Sequence, residues 1–163
     1  MTELSPNAQK VQEFLDKQGF SYQVVEFQQK TRSAAEAAQA IGCTLEQIAK
    51  SIVFQGSYTQ KPILVIASGV NRVDESKLIS LVSEPVQKAN PEFVRQHTGF
   101  PIGGVPPIHY INKIETFIDE DLLRHAEIWA AAGTPYAVFK LVPGDLLQMT
   151  YGRVVSIKSI SKQ

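Results

Sequence analysis

The chain has little of what most enzyme sites are built from. It holds one cysteine, Cys43, so no disulfide closes within it and no cysteine zinc cluster assembles. Its three histidines, His97, His109 and His125, show no metal-ligand spacing, and no His-Glu-x-x-His pattern occurs. The Gly-x-Ser-x-Gly and phosphate-loop patterns are missing too. No metal and no cofactor is expected. No run approaches the ~18 apolar residues of a membrane span. Met1-Thr2-Glu3-Leu4-Ser5-Pro6 lacks the basic-then-apolar order of a signal peptide. A reducing, cytoplasmic setting is the expectation. Net charge is absent as well, because Lys+Arg and Asp+Glu number 16 each. A protein that wraps many phosphates is basic. Any nucleic acid is therefore expected to be held through a few local contacts, or delivered by another protein.

What is present is an ordinary globular composition, 163 residues with 44% apolar and 20% charged. That length fits one domain, 1–163, with no repeat or linker. Helix signals are plain. Ser5-Pro6 opens a first helix that Gly19 stops. Ser33-Ala34-Ala35-Glu36 has capping-box form before an alanine-rich helix ended by Gly42, and Thr44-Leu45-Glu46-Gln47 repeats the device in a brief helix ending near Ala49. Asp74 and Asn90-Pro91 cap two more helices, and a short one starts at Pro143-Gly144-Asp145. Strands are expected at 21–27, 51–54, 62–67, 86–89, 114–118, 128–133, 136–141 and 153–157, with 51–54 and 62–67 forming an antiparallel hairpin. Short strands mixed with short helices argue an α+β fold. The expected sheet is curved, mixed and mainly antiparallel, or a partly closed barrel, surrounded by short helices.

Two features stand out chemically. In Thr98-Gly99-Phe100-Pro101-Ile102-Gly103-Gly104-Val105-Pro106-Pro107-Ile108, two adjacent glycines lie between prolines. Such a loop can aim two consecutive N–H groups at a carbonyl oxygen, a phosphate or a developing oxyanion. A tight surface connection is the commoner use of Gly-Gly. Lys50 stands at a helix-to-strand junction, and the strand period puts it on one face with Ile52 and Phe54. A snorkelling lysine is the commoner role at such a rim, but an ammonium facing an apolar pocket also holds a carbonyl or phosphate as a point charge. Ser51 adds a hydroxyl beside it. Glu115, Asp119, Glu120 and Asp121 read as a solvated charge cluster. Cys43 reads as a small half-buried residue, since nothing nearby would lower its pKa.

Five blocks in order carry a resemblance: Thr31-Arg32-Ser33-Ala34-Ala35-Glu36-Ala37-Ala38; Lys50-Ser51-Ile52-Val53-Phe54; Ser68-Gly69-Val70-Asn71-Arg72-Val73-Asp74; Thr98-Gly99-Phe100 with Gly103-Gly104-Val105-Pro106-Pro107; and Ala131-Ala132-Gly133-Thr134. Together, over about residues 11–155, the chain resembles the YbaK/ProX family of aminoacyl-tRNA deacylases, related to the editing domain inserted in bacterial prolyl-tRNA synthetases. The resemblance implies a trans-editing hydrolase that cleaves the ester of a mischarged aminoacyl-tRNA, of the tRNA-Pro class, without a metal or a protein nucleophile. Its partner would be the acceptor end of the aminoacyl-tRNA, with docking on a synthetase, and no membrane. Lys50 would engage the terminal adenosine or its phosphate, and the amides of Gly103 and Gly104 would hold the aminoacyl carbonyl. Thr31, Arg32, Ser51, Val105, Pro106, Gly133 and Thr134 would line the pocket, with Ser68, Gly69 and Asn71 at its border. Where many relatives read Gly-Gly-x-x-Pro-x-Gly-His, this chain reads Pro106-Pro107-Ile108-His109-Tyr110, so no amino-acid preference carries over. The alternative expectation is a non-catalytic module binding a nucleotide or aminoacyl ligand in the same fold.

Overall fold

The computed structural model describes residues 3–28, 33–108 and 113–160. Local signals place most elements. Helix α1 (Pro6–Lys17) starts at the expected proline, but the Ser5 hydroxyl does not cap it. That hydroxyl donates instead to Glu26 Oε2 at 2.6 Å, tying the helix start to strand β1 (Val24–Glu26). Helix α2 (Ala34–Ile41) is capped by Ser33 Oγ, which accepts from Glu36 N at 3.1 Å, and Gly42 ends it at φ +89°. Gln47 Oε1 accepts from Thr44 N, but the second device yields only a 3-10 turn, Leu45–Gln47. Strand β2 (Ile48–Gly56) begins directly after it. Lys50 therefore lies inside a strand, not at the expected junction.

Strand β3 (Pro62–Ser68) pairs antiparallel with β2 along nearly its whole length. Helix α3 (Glu75–Val82), β4 (Val86–Lys88) and α4 (Pro91–Thr98) follow. After the glycine loop come β5 (Glu115–Asp119), a 3-10 turn (Glu120–Arg124), β6 (Ile128–Ala131), β7 (Ala137–Leu141), α5 (Asp145–Thr150) and β8 (Arg153–Val155). The strands make one mixed sheet in the order β1-β7-β6-β2-β3-β5-β8, with β4 also on β2. The pairs β1–β7, β2–β3, β2–β4 and β6–β7 are antiparallel; β2–β6, β3–β5 and β5–β8 are parallel. The order runs from β1 at one edge to β8 at the other, so the sheet is open, not a barrel.

Both faces of the sheet are covered. Val53, Leu64, Ile66 and Ile118 face a core with Val11 and Leu15 of α1, Val94 of α4 and Met149 of α5. Their strand neighbours Phe54, Ile63, Val65 and Phe117 face a second core with Leu78 of α3 and Ile157. Double coverage explains why β3 reads as an unbroken apolar run and not as an alternating one.

One irregularity of this sheet positions the site. On the β2 edge away from β3, β6 pairs with Ile48 and Ala49, and β4 pairs with Phe54 to Gly56. No described strand covers residues 50–53 on that edge. The register with β3 makes odd-numbered β2 residues turn their N–H and C=O toward this notch, as Val53 shows by accepting from Ala89 N at 3.0 Å. The Ser51 backbone faces the same gap.

Candidate functional site

A cavity of about 170 Å³ opens at the notch. Lys50 and Ser51 of β2, Gly103 and Val105 of the glycine loop, and Ser33 at the head of α2 line it, with Trp129 at one side. Much of the remaining wall is alanine, including Ala37, Ala49 and Ala130. Residues far apart in the chain thus meet because β2 lies centrally in the sheet while the loop after α4 folds over its uncovered edge.

Lys50 is half-buried. Desolvation holds its ammonium below the ordinary lysine pKa, Lys88 and Arg72 push it further down, and Asp119 partly opposes them. The register explains the last effect. Lys50 pairs with Ala67, and β5 continues one step past Ile66–Ile118 to set Asp119 beside Ala67. Alanine puts only a methyl group at the strand position between Lys50 and Asp119. Asp119 is 1% exposed and accepts from Ser68 N at 3.0 Å, Asn71 Nδ2 at 2.7 Å and Asp121 N at 2.9 Å. The solvated role expected for it is therefore wrong: four residues of similar charge cluster in sequence, but strand alternation and the turn after β5 fold Asp119 inward. Asp121 beside it is held below the usual carboxylate range by Lys158 and by Asn71 Nδ2 at 2.9 Å.

Ser51 Oγ is buried and has no hydrogen-bond partner among the described residues. A buried hydroxyl left unpaired costs free energy that a ligand's polar group would restore.

The glycine loop departs from the expected geometry. Gly104 N donates to Pro101 O at 2.9 Å, so this amide closes a turn and is not aimed at a ligand. Gly103, at φ +88°, occupies the turn position that needs a left-handed residue. Gly104 is required for a different reason: a Cβ there would lie 2.7 Å from Thr134 Cα and N. Its carbonyl accepts from Gly133 N at 2.8 Å, which clamps the loop onto the 131–134 segment. Of the two amides expected to act together, only that of Gly103 is left to the cavity.

The other expected residues divide. Val105 is buried in the cavity wall. Pro106 is buried behind it. Gly133 is packed against the start of α1, where a Cβ would meet Asn7 O at 2.6 Å. Thr134 Oγ1 accepts from Tyr136 N at 3.0 Å, and its neighbour Pro135 lines the cavity in its place. Ser68, Gly69 and Asn71 do not reach the cavity. They build the polar node behind Lys50, with Ser68 Oγ donating to Glu46 O at 2.8 Å and Gly69 N to Ile48 O at 2.8 Å. Thr31, Arg32 and His109 fall outside the described residues. Trp129 and Asp119 were missed: a strand tryptophan and one acid among four carry no local signal of their place. Cys43 is half-buried, and burial raises its thiol pKa, as suits an inert residue. Among the described residues no group of three or more His, Cys, Asp or Glu could hold a metal, and no helix is long and apolar enough to cross a membrane.

Comparison with known proteins agrees with this architecture. One crystal structure, described as that of a candidate trans-editing enzyme for prolyl-tRNA synthetase, is 46% identical, with a TM-score of 0.90 over 96% of this chain and 99% of that one. A protein used as a scaffold for computational epitope grafting is 40% identical, with a TM-score of 0.89 over 97% of this chain and 100% of that one. YwhH of Bacillus subtilis (strain 168), itself uncharacterised, is 30% identical over 131 residues, 80% of this chain and 83% of that protein. The model of the aminoacyl-tRNA editing domain matches residues 28–149. With the fold, the resemblance and this match in agreement, the chain belongs to the aminoacyl-tRNA editing domain family.

Proposed function

We propose that this chain is a free-standing hydrolase that removes the amino acid from a mischarged tRNA of the prolyl class, docking on a synthetase as it does so. One observation carries the reading: Lys50, Ser51 and Gly103, from two distant blocks, line one small cavity. At about 170 Å³ it is below the roughly 300 Å³ at which drug-sized sites begin. That space suits a small aminoacyl group. Editing of this kind is needed because a synthetic site cannot reject a side chain one methylene smaller by more than ~1–3 kcal/mol.

In this reading the Gly103 N–H donates to the aminoacyl carbonyl and stabilises the charge that builds on its oxygen. The Lys50 ammonium holds the terminal nucleotide or the same oxygen as a point charge. Ser51 Oγ fixes the ester by a hydrogen bond. Water attacks the carbonyl carbon, the ester C–O bond breaks, and the ribose oxygen leaves with a proton. The prolyl assignment rests on the relative at 46% identity.

The Gly104 turn favours a second reading. With one amide spent on Pro101, the loop offers a single donor, which suits a module that binds an aminoacyl or nucleotide ligand without turnover. A deacylation panel separates the two. Folded protein is timed against tRNA-Pro charged with labelled Ala, Cys or Ser, and Lys50→Ala is run beside it. The hydrolase reading expects release from one substrate and a loss of roughly 100-fold or more in the variant, the scale of one removed transition-state contact. Absence of release from every member of the panel sinks it in favour of the binding module.

A further inference from the structure

Asp119, at the end of β5, is 1% exposed and makes no ion pair among the described residues. A buried charge is costly unless it is paired or hydrogen-bonded. Hydrogen bonds hold this one. Oδ2 accepts from Ser68 N and Asn71 Nδ2, and Oδ1 accepts from Asp121 N. The three donors tie the turn after β3 to the turn after β5. All three are neutral, so none of them cancels the negative charge. The neighbouring Asp121 has cations of its own, Lys158 at 2.9 Å and Arg124 at 3.3 Å. The charge of Asp119 is left to act elsewhere.

The sheet supplies an object for it. Lys50, Ala67 and Asp119 stand in one row across β2, β3 and β5, on the face that carries Phe54 and Phe117. Adjacent strands lie about 4.8 Å apart, so the Cα atoms at the ends of this row are roughly 10 Å apart. Lys50 makes no ion pair among the described residues. Asp119 therefore attracts the ammonium across the row without occupying its three N–H donors. Lys50 is the one titratable side chain among the described residues that line the cavity. Around it, Lys88 of β4 and Arg72 of the turn after β3 disfavour its charge, as burial does, and Asp119 of β5 favours it. Without Asp119, the charges acting on Lys50 would all be of its own sign.

We propose that Asp119 is a positioning residue for the reaction at this cavity: its fixed carboxylate keeps Lys50 a cation there, with the ammonium donors left to the substrate. The role rests on the deacylase reading, but its first test needs no turnover. In ¹³C-labelled protein the Lys50 Cε resonance, assigned by its loss in Lys50→Met, is followed through the alkaline range. Its midpoint is expected at lower pH in Asp119→Asn than in the native protein, because removing the carboxylate leaves only repulsion and burial. The alkaline limb of kcat/KM for deacylation should move down by the same interval. If Asp119 only ties the two turns together, Asp119→Asn lowers the Tm and leaves the Lys50 midpoint where it was, and the proposal fails. Should Asp119→Asn not fold, the native protein decides. The Asp119 carboxyl ¹³C resonance is expected to show an inflection at the Lys50 midpoint, and Lys50→Met should abolish it. A carboxyl resonance that does not respond to Lys50 overturns the proposal. So does a limb that stays in place while the midpoint moves. A shifted midpoint in a protein that releases no amino acid defeats the deacylase reading and leaves the hold of Asp119 on Lys50 standing.

Discussion

Lys50 shows how a single residue is set against its surroundings. Burial removes water from its ammonium, and Lys88 and Arg72 repel it by more than Asp119 attracts it. Folding therefore lowers its pKa from the ordinary lysine value. The unfolded chain binds this proton more tightly, so the group costs stability at all pH values below its folded pKa, and the cost fades as pH rises toward ~10.4. Lys50→Met should accordingly raise the Tm at pH 7, and the gain should shrink as pH approaches 10. Thermal melts across that range check it, and a lower Tm at pH 7 would contradict the geometry. A charge kept at such a cost is the pattern expected where activity and stability compete.

At the scale of elements, the loop between α4 and β5 is a turn clamped to a neighbour. Its two glycines do different work and should fail differently. Gly103→Ala puts a Cβ on a left-handed residue, a strain of roughly 1–2 kcal/mol, but its nearest neighbour is Pro135 at 3.7 Å, so the fold survives. Gly104→Ala drives a Cβ against the Thr134 backbone, and overpacking of that kind costs about 1–3 kcal/mol or more. Denaturant melts should rank Gly104→Ala as the less stable variant. The reverse order would mean that the loop is not seated on the 131–134 segment. Much of this level was legible beforehand. The capping pairs at Ser33, Asp74 and Asn90 and the stop at Gly99 act within four residues, so their hydrogen bonds are written in local spacing. The second capping device produced a 3-10 turn and no longer helix, because the demand of β6 and β3 for Ile48 and Ala49 as strand partners prevailed.

For the whole molecule, a net charge of zero confines any nucleic-acid contact to a local feature. Lys88 and Arg72 are each near enough to Lys50 to repel its ammonium, and none of the three makes an ion pair among the described residues. If these three meet the phosphates of a single-stranded acceptor end, the salt dependence of tRNA binding should have a log–log slope of about −2, from ~0.7 counterions released per phosphate. Fluorescence anisotropy over a salt series measures it. A slope steeper than about −5 would point to a broad basic face elsewhere and count against the three-cation path.

By itself the sequence determined the elements, the α+β class and the family, because caps, stops and the β2–β3 hairpin depend on neighbours a few residues away and the five blocks keep their order. It also marked Lys50, Ser51 and Gly103 as residues of interest. Only the tertiary structure decided how they are used. Whether both amides of Gly103-Gly104 reach a ligand depends on Pro101 and Thr134; whether Asp119 is solvated depends on Ser68 and Asn71, about fifty residues earlier. The cavity exists because β6 and β4 each cover one end of β2 and leave its middle bare. Such facts arise from pairing between distant segments, and no periodicity or short motif records them.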